Sequence, residues 1–119
     1  MMRNVASLAM DDAGIPFRRE IPIGMMVEVP AAVVMLERFI HEVDCLSVGT
    51  NDLAQYTLAV DRSNENVADL YQSSDPAVLR LIESCVKVST EHDIPLAVCG
   101  EMGSNPGRAL LLLGIGIRA

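Results

Sequence analysis

Glu28, Asp52 and Cys99 are the residues whose types and positions in this sequence best suit chemistry. Each lies at or just beyond the end of a short apolar run that predicts a buried strand. In parallel α/β proteins ligands bind at the carboxyl ends of the strands, so these side chains are expected along one rim. Carboxylates on adjacent strand ends suit magnesium, which takes one or two protein carboxylates and fills its octahedron with substrate oxygens and water.

Cys99 brings a thiol, a reactive type of side chain, to the same rim. Simpler interpretations of these residues stay open at this point. An acidic residue at a strand end is more often a solvated rim group or a helix cap, and a buried cysteine usually serves packing.

The elements that must position these residues alternate along the chain. After a helix end closed by Gly14, apolar runs at 21–29, 43–49 and 94–100 predict strands. Helices are predicted at 30–41, 53–60 and 76–93 and from Asn105-Pro106 onward, with a polar loop at 50–52. Methionines 25, 26 and 35 are expected to fill gaps in the core. Strands alternating with helices indicate a parallel sheet and an α/β fold.

Composition narrows the classes of function. The chain has 119 residues, 50% of them hydrophobic, which is enough for the core of one domain. A formal charge of -7 without a basic run argues against nucleic acid as a partner. Three widely spaced cysteines fit a reducing cytoplasm, and the longest apolar stretch, 109–117, is too short to insert across a membrane.

Three motifs make the sequence similar to the phosphoenolpyruvate-utilising enzymes. They are MVEVPAA at 26–32, GTNDLAQYTLAVDR at 49–62 and CGEMGSNP at 99–106. The segments QYTLAVDR and NVADLYQSSDPAVLR, the latter at 66–80, resemble enzyme I of the bacterial sugar phosphotransferase system, or its nitrogen-related paralogue. The resemblance covers nearly everything from Ile21 to Gly116.

The resemblance to enzyme I implies a fold, an activity and partners. The fold would be a (β/α)8 (TIM) barrel that binds phosphoenolpyruvate, of which residues 1–119 would supply about three units of the C-terminal half. Enzymes of that family pass the phosphoryl group of phosphoenolpyruvate to a histidine on a mobile domain and then to HPr or a related carrier. They use Mg2+, and a homodimer is implied for the complete enzyme.

The same resemblance assigns roles to individual residues. Glu28 and Asp52 match the magnesium ligands. Asn51, Asp52 and Arg62 match substrate-binding positions, and Arg62 suits an oxyanion because its planar fork donates paired hydrogen bonds. Cys99 matches the proton donor to the methylene carbon of enolpyruvate. Glu101 is a weaker candidate, for orienting a neighbour.

The sequence departs from the family pattern at Ala54, Asp75 and Gly103-Ser104, none of which is a predicted ligand. The family's phosphohistidine domain and the substrate arginines of earlier strands have no counterpart here. We therefore expect the chain alone to be inactive. Two alternatives stay open, a magnesium-dependent lyase of the pyruvate and phosphoenolpyruvate barrels and a stand-alone flavodoxin-like ligand-binding module.

The remaining cysteines and the histidines are predicted to be structural. Cys45 and Cys85 fall where a strand and a helix need core residues. His41 and His92 lie near predicted helix ends, where an imidazolium can interact with terminal carbonyl groups.

Overall fold

A computed structural model describes residues 2–18 and 20–118, with the backbone alone described for 2–6. The strands are β1 (Gly24–Val27), β2 (Cys45–Gly49) and β3 (Leu96–Cys99). The helices are α1 (Met2–Asp12), α2 (Pro30–Val34), α3 (Leu36–Phe39), α4 (Thr50–Leu58), α5 (Pro76–Glu91), α6 (Glu101–Ser104) and α7 (Pro106–Ile115). Short 3-10 turns cover Ile40–Glu42 and Ala68–Leu70.

The strands form a parallel sheet in the order β1-β2-β3. Val27 lies beside Val48, and Gly49 lies beside Cys99, so the carboxyl ends of all these strands meet at one edge. The predicted α/β class with a parallel sheet is thereby confirmed.

One face of the sheet packs on helices. Val27, Leu46 and Val48 are 0–2% exposed and belong to the same core as residues from α2, α3 and α5. α5 contacts α2, α3 and α7, so these helices form a connected layer on this face. The opposite face, which carries Met26 and Ser47, is partly exposed; we call it the open face.

Local capping occurs where the sequence predicts it. Asp75 accepts a hydrogen bond of 2.8 Å from the N–H of Ala77 at the start of α5, and Asn105 accepts one of 3.1 Å from Arg108 at the start of α7. Gly14 closes α1 with a φ of 64°. These side chains and the glycine satisfy backbone groups that a helix end leaves without partners.

The predicted first strand and the helix after it are too long. Ile21 is 54% exposed, and β1 begins only at Gly24, because Pro22 has no N–H to donate to a ladder. The predicted helix at 30–41 is interrupted at Met35, whose φ and ψ are -96° and 8°. Adjacent β-branched residues, Val33 and Val34, precede the interruption and lower helix propensity there.

The predicted polar loop at 50–52 is also wrong. These residues form the first turn of α4, directly after β2, so their side chains are fixed by a helix. The structure also adds α6, a single helical turn between β3 and α7 that was not predicted. Over the ranges 2–18 and 20–118, no helix combines the length and apolar character needed to cross a bilayer.

Candidate active site

Gly49 lies between Glu28 and Cys99 at the carboxyl edge of the sheet. Side chains alternate between faces along a strand, so Glu28, Gly49 and Cys99 all belong to the open face. A Cβ atom on Gly49 would lie 3.0 Å from Cβ and 3.1 Å from Oε2 of Glu28. The missing side chain of Gly49 therefore provides the space that the Glu28 carboxylate occupies.

The thiol of Cys99, on β3, contacts residues of both β2 and β1. The hydroxyl of Ser47 donates a hydrogen bond of 3.4 Å to Sγ of Cys99, and that Sγ lies 3.5 Å from the carbonyl oxygen of Val48. Sδ of Met26 is also 3.5 Å from Sγ. Met26 is 48% exposed, so its prediction as core filling is wrong, as it is for Met35 at 46%. Met26 instead forms part of the surroundings of Cys99.

The first turn of α4 joins this edge to the segment after β3. The buried Thr50 donates a hydrogen bond of 3.2 Å from its hydroxyl to the carbonyl oxygen of Cys99. Oδ1 of Asn51 accepts one of 3.1 Å from the backbone N–H of Glu101. Asp52, also in this turn, is partly exposed near the helix N-terminus, where the helix dipole favours a carboxylate.

Arg62 reaches the same edge from the loop after α4. Its NH1 atom lies 3.8 Å from Oε1 of Glu101, and its backbone N–H donates to Oε1 of Gln55 over 3.4 Å. Asn51 and Arg62, both predicted to bind substrate, thus contact the same residue, Glu101. In a partly exposed position this ion pair contributes little stability, but it places the guanidinium at the rim.

Tyr71 is a site residue that the sequence reasoning missed. Its hydroxyl donates a hydrogen bond of 3.3 Å to the backbone carbonyl of Asn51. Burial, as the largest cause, raises the pKa of the Tyr71 hydroxyl, while the charge of Arg62 lowers it and those of Glu101 and Asp52 raise it. Tyr71 lies within the segment 66–80, but spacing alone does not indicate which loop residue reaches the rim.

The other predictions for cysteine and histidine differ in outcome. Cys85 is fully buried in the core, as predicted, whereas Cys45 is only partly buried. His92 follows the last turn of α5, and its Nδ1 lies 3.1 Å from the carbonyl oxygen of Val88, as expected for an imidazole at a helix end. His41 lies in the 3-10 turn after α3 and packs edge-on against His92.

The two predicted metal ligands, Glu28 and Asp52, both lie near this edge. Glu28 directly follows β1 and lies against Gly49, and Asp52 lies in the first turn of α4, directly after β2. In the part of the chain that the structure describes, no cluster of three His, Cys, Asp or Glu side chains is arranged for a metal. The donor set fits magnesium, which takes few protein ligands and completes its shell with substrate oxygens and water, better than a structural zinc site.

Comparison of the sequence with known proteins identifies its family. Residues 1–119 match the family model described as "PEP-utilising enzyme, PEP-binding domain". The chain is 43% identical over 113 residues to a phosphoenolpyruvate-protein phosphotransferase of Cupriavidus necator, covering 95% of this chain and 19% of that protein. It is 47% identical to the one from Buchnera aphidicola, covering 87% of this chain and 18% of that protein.

A second kind of relative is equally similar. The chain is 52% identical over 105 residues to a probable phosphoenolpyruvate synthase of Archaeoglobus fulgidus, covering 87% of this chain and 14% of that protein. The chain thus spans less than a fifth of the length of these curated relatives. With a match over all its residues, the chain belongs to the PEP-utilising enzymes, within their PEP-binding domain.

Proposed function

We propose that the chain is the substrate-binding part of a phosphoenolpyruvate-protein phosphotransferase and acts within a longer polypeptide. The observation that carries this proposal is that the three motif segments meet through direct contacts. Glu28 lies over Gly49, Thr50 bonds the backbone of Cys99, and Asn51 and Arg62 both contact Glu101. Relatives of that name are 43–47% identical to this chain, and the matches cover 87–95% of it.

Substrate recognition follows from charge and geometry. Phosphoenolpyruvate carries a phosphate and a carboxylate, whereas the chain has a net charge of -7, so attraction must be local. Arg62 can pair with one oxyanion through its fork, and the amide of Asn51 can donate to another. Glu28 and Asp52 would hold magnesium, which supplies neutralisation of the phosphate and enolate charge.

The reaction separates into two transfers. The phosphoryl group passes from the enol oxygen to a histidine of the complete enzyme and leaves enolpyruvate. Cys99 then gives its proton to the methylene carbon, forming pyruvate and a thiolate. The hydroxyl of Ser47, which donates to Sγ of Cys99 over 3.4 Å, would stabilise that thiolate. The proton returns to the thiolate from solvent before the next turnover.

The complete fold is proposed to be a (β/α)8 barrel. Consecutive pairing of β1, β2 and β3 with a parallel helix layer on one face is the arrangement of barrel units, and a flavodoxin-like sheet would change direction at a switch point. Beside β3 a groove of about 500 Å³ is lined largely by apolar residues, among them Val98, Leu112 and Ile117. A further strand and helix of the longer polypeptide would fill this groove.

The partners and location follow from the same proposal. The histidine would pass its phosphoryl group to HPr or a related carrier, and the complete enzyme would be a homodimer. Cys45, Cys85 and Cys99 are free thiols, which supports a reducing cytoplasm.

A phosphoenolpyruvate synthase is the second candidate, favoured by the 52% identity to the Archaeoglobus fulgidus protein. The two functions share the binding of phosphoenolpyruvate and differ in the phosphoryl acceptor. The complete gene product should phosphorylate a histidine phosphocarrier from phosphoenolpyruvate without nucleotide. Net formation of phosphoenolpyruvate without phosphorylation of a protein carrier would instead support the synthase.

The direct test of the proposed chemistry is Cys99→Ala in the complete gene product. It should block pyruvate formation, measured by coupling to lactate dehydrogenase, while Mg2+-dependent binding of phosphoenolpyruvate persists, because protonation follows recognition. Cys45→Ala, a partly buried thiol on the same sheet, is the control and should turn over at the parent rate. Pyruvate formation by Cys99→Ala at the parent rate would remove Cys99 from the reaction.

A further inference from the structure

Glu101 contacts both side chains that are proposed to bind the substrate's anionic groups. It is the first residue of α6, directly after β3 and Gly100. Its backbone N–H donates to Oδ1 of Asn51 over 3.1 Å, and its carboxylate lies 3.8 Å from the guanidinium of Arg62. One residue therefore reaches the amide through its main chain and the guanidinium through its side chain.

The main-chain contact fixes which way the Asn51 amide faces. A side-chain amide has an acceptor oxygen and a donor NH2 group, and a backbone N–H can bond only to the oxygen. The bond from Glu101 therefore holds Oδ1 and directs the NH2 group elsewhere. An anion needs donors, so this orientation is the one suited to phosphoenolpyruvate. The backbone of Asn51 is held separately by the hydroxyl of Tyr71, 3.3 Å away.

Gly100 makes the contact with Asn51 sterically accessible. Its φ is 116°, in the region that favours glycine, and a Cβ there would lie 2.5 Å from Oγ1 of Thr50 and 3.1 Å from Oδ1 of Asn51. A side chain at this position would enter the space where the Asn51 oxygen meets the N–H of Glu101. The glycine thus allows β3 to turn into α6 directly against the first turn of α4.

The carboxylate acts in the same direction on Arg62. With 68% of the Glu101 side chain and 40% of the Arg62 side chain exposed, the pair is screened by water and contributes little to stability. Its effect is orientational, since it draws a long, flexible side chain to the edge where Asn51 lies. The carboxylate accepts no proton and touches no reacting atom in this role.

We propose that Glu101 is a positioning residue that aims the Asn51 amide and the Arg62 guanidinium at the two anionic ends of phosphoenolpyruvate. This inference rests on the proposed function of the site. The main chain of Glu101 holds Asn51 and its side chain holds Arg62, so mutations can separate the two contributions.

The test compares Glu101→Pro with Glu101→Ala in the complete gene product. Proline is tolerated at the first position of a helix, and it removes the N–H together with the carboxylate, whereas alanine removes the carboxylate alone. We expect Glu101→Pro to raise KM for phosphoenolpyruvate about tenfold or more. Glu101→Ala should raise it only about two- to threefold. Glu91→Ala, which removes an exposed ion pair with Lys87, is the control and should leave KM unchanged.

A role limited to folding would give a different pattern. It would reduce the fraction of active enzyme, lowering kcat at an unchanged KM, and that pattern in Glu101→Pro would overturn the proposal. Equal KM values in the parent and Glu101→Pro would overturn it as well.

A second readout follows the Asn51 amide in protein labelled with 15N-asparagine. In the parent and in Glu101→Ala the NH2 signals of Asn51 should shift when phosphoenolpyruvate and Mg2+ are added. In Glu101→Pro the signals of the free protein should lie at different chemical shifts, because Oδ1 has lost its hydrogen bond, and the change on adding substrate should be smaller. If Glu101→Pro does not fold, the parent alone decides, because NH2 signals that do not shift in a protein that binds the substrate would overturn the proposal. A parent that binds no phosphoenolpyruvate would contradict the proposed function, while the comparison of the Asn51 signals would still test the Glu101 contact.

Discussion

The hydroxyl of Thr50 donates a hydrogen bond of 3.2 Å to the carbonyl oxygen of Cys99, joining the start of α4 to the end of β3. Thr50 is completely buried, so no solvent replaces this donor when it is removed. The position of the proposed acid therefore depends on a residue of a neighbouring motif.

Thr50→Val should destabilise the protein and slow pyruvate formation. Valine keeps the shape of the threonine side chain but removes the hydroxyl that donates to the Cys99 carbonyl. This loss should lower the free energy of unfolding by about 1–3 kcal/mol. Urea denaturation and turnover would measure both effects. Thr57→Val is the matched control, because Thr57 donates to the Leu53 carbonyl within the same helix. Equal losses of turnover in the two variants would show that the bond to Cys99 has no special role.

Glu28→Ala and Asp52→Ala should each weaken Mg2+-dependent binding of phosphoenolpyruvate by roughly a hundredfold, since each removes a carboxylate from the proposed cation site. Isothermal titration of the complete gene product with and without Mg2+ would measure this. Glu37→Ala, at an exposed position on α3, controls for the loss of one negative charge. Unchanged Mg2+ dependence in both site variants would refute the metal assignment.

Gly49→Ala should impair the same site although no proposed ligand is replaced. The φ of Gly49 is -81°, which alanine adopts easily, so the effect comes from space alone. Its Cβ would lie 3.0 Å from Cβ of Glu28 and must displace the carboxylate. We expect Mn2+ affinity, measured by electron paramagnetic resonance, to fall. Gly114→Ala, where a Cβ meets nothing within 4 Å, should leave it unchanged.

The buried Cys85 predicts a loss of stability at alkaline pH. Burial raises the pKa of its thiol to about 12, from 9.0 when exposed. Between these values the unfolded chain releases the proton and the folded protein retains it. The contribution to stability is therefore complete below pH 9.0 and is lost as pH rises toward 12.

Cys85→Val isolates this effect, because it keeps an apolar side chain and removes the titrating group. Guanidinium denaturation at pH 7 and pH 10.5 should show a smaller alkaline loss in the variant, by up to about 2 kcal/mol. Equal losses in the variant and the parent would assign the alkaline sensitivity to other groups.

Local signals in the sequence predicted part of this structure well. Asp75 and Asn105 cap α5 and α7 as expected, because a cap depends on residues within one helical turn. The placement of Glu28 and Cys99 at one edge followed from the general rule for parallel sheets. Their common neighbour, Gly49, was not predicted, since its role is to lack a side chain.

Contacts that cross the fold were missed. The hydroxyl of Tyr71 bonds the backbone of Asn51 twenty residues away, and Met26 of β1 lies against Cys99 of β3 across the intervening strand β2. Neither contact leaves a periodic pattern in the sequence. Met26 looks like core filling because hydrophobicity does not reveal that this face of the sheet is partly exposed.

Pairing of consecutive strands also orders the events of synthesis on the ribosome. Gly24 pairs with Cys45, so β1 and β2 can associate soon after they emerge, whereas Leu46 pairs with Leu96 only after the whole of α5 has been made. The hydrogen bonds from Ser47 and Thr50 to Cys99 therefore form only after β3 has been synthesised. The nascent chain would carry its carboxylates in place well before its thiol, and the proposed acid would be the last of these groups to arrive.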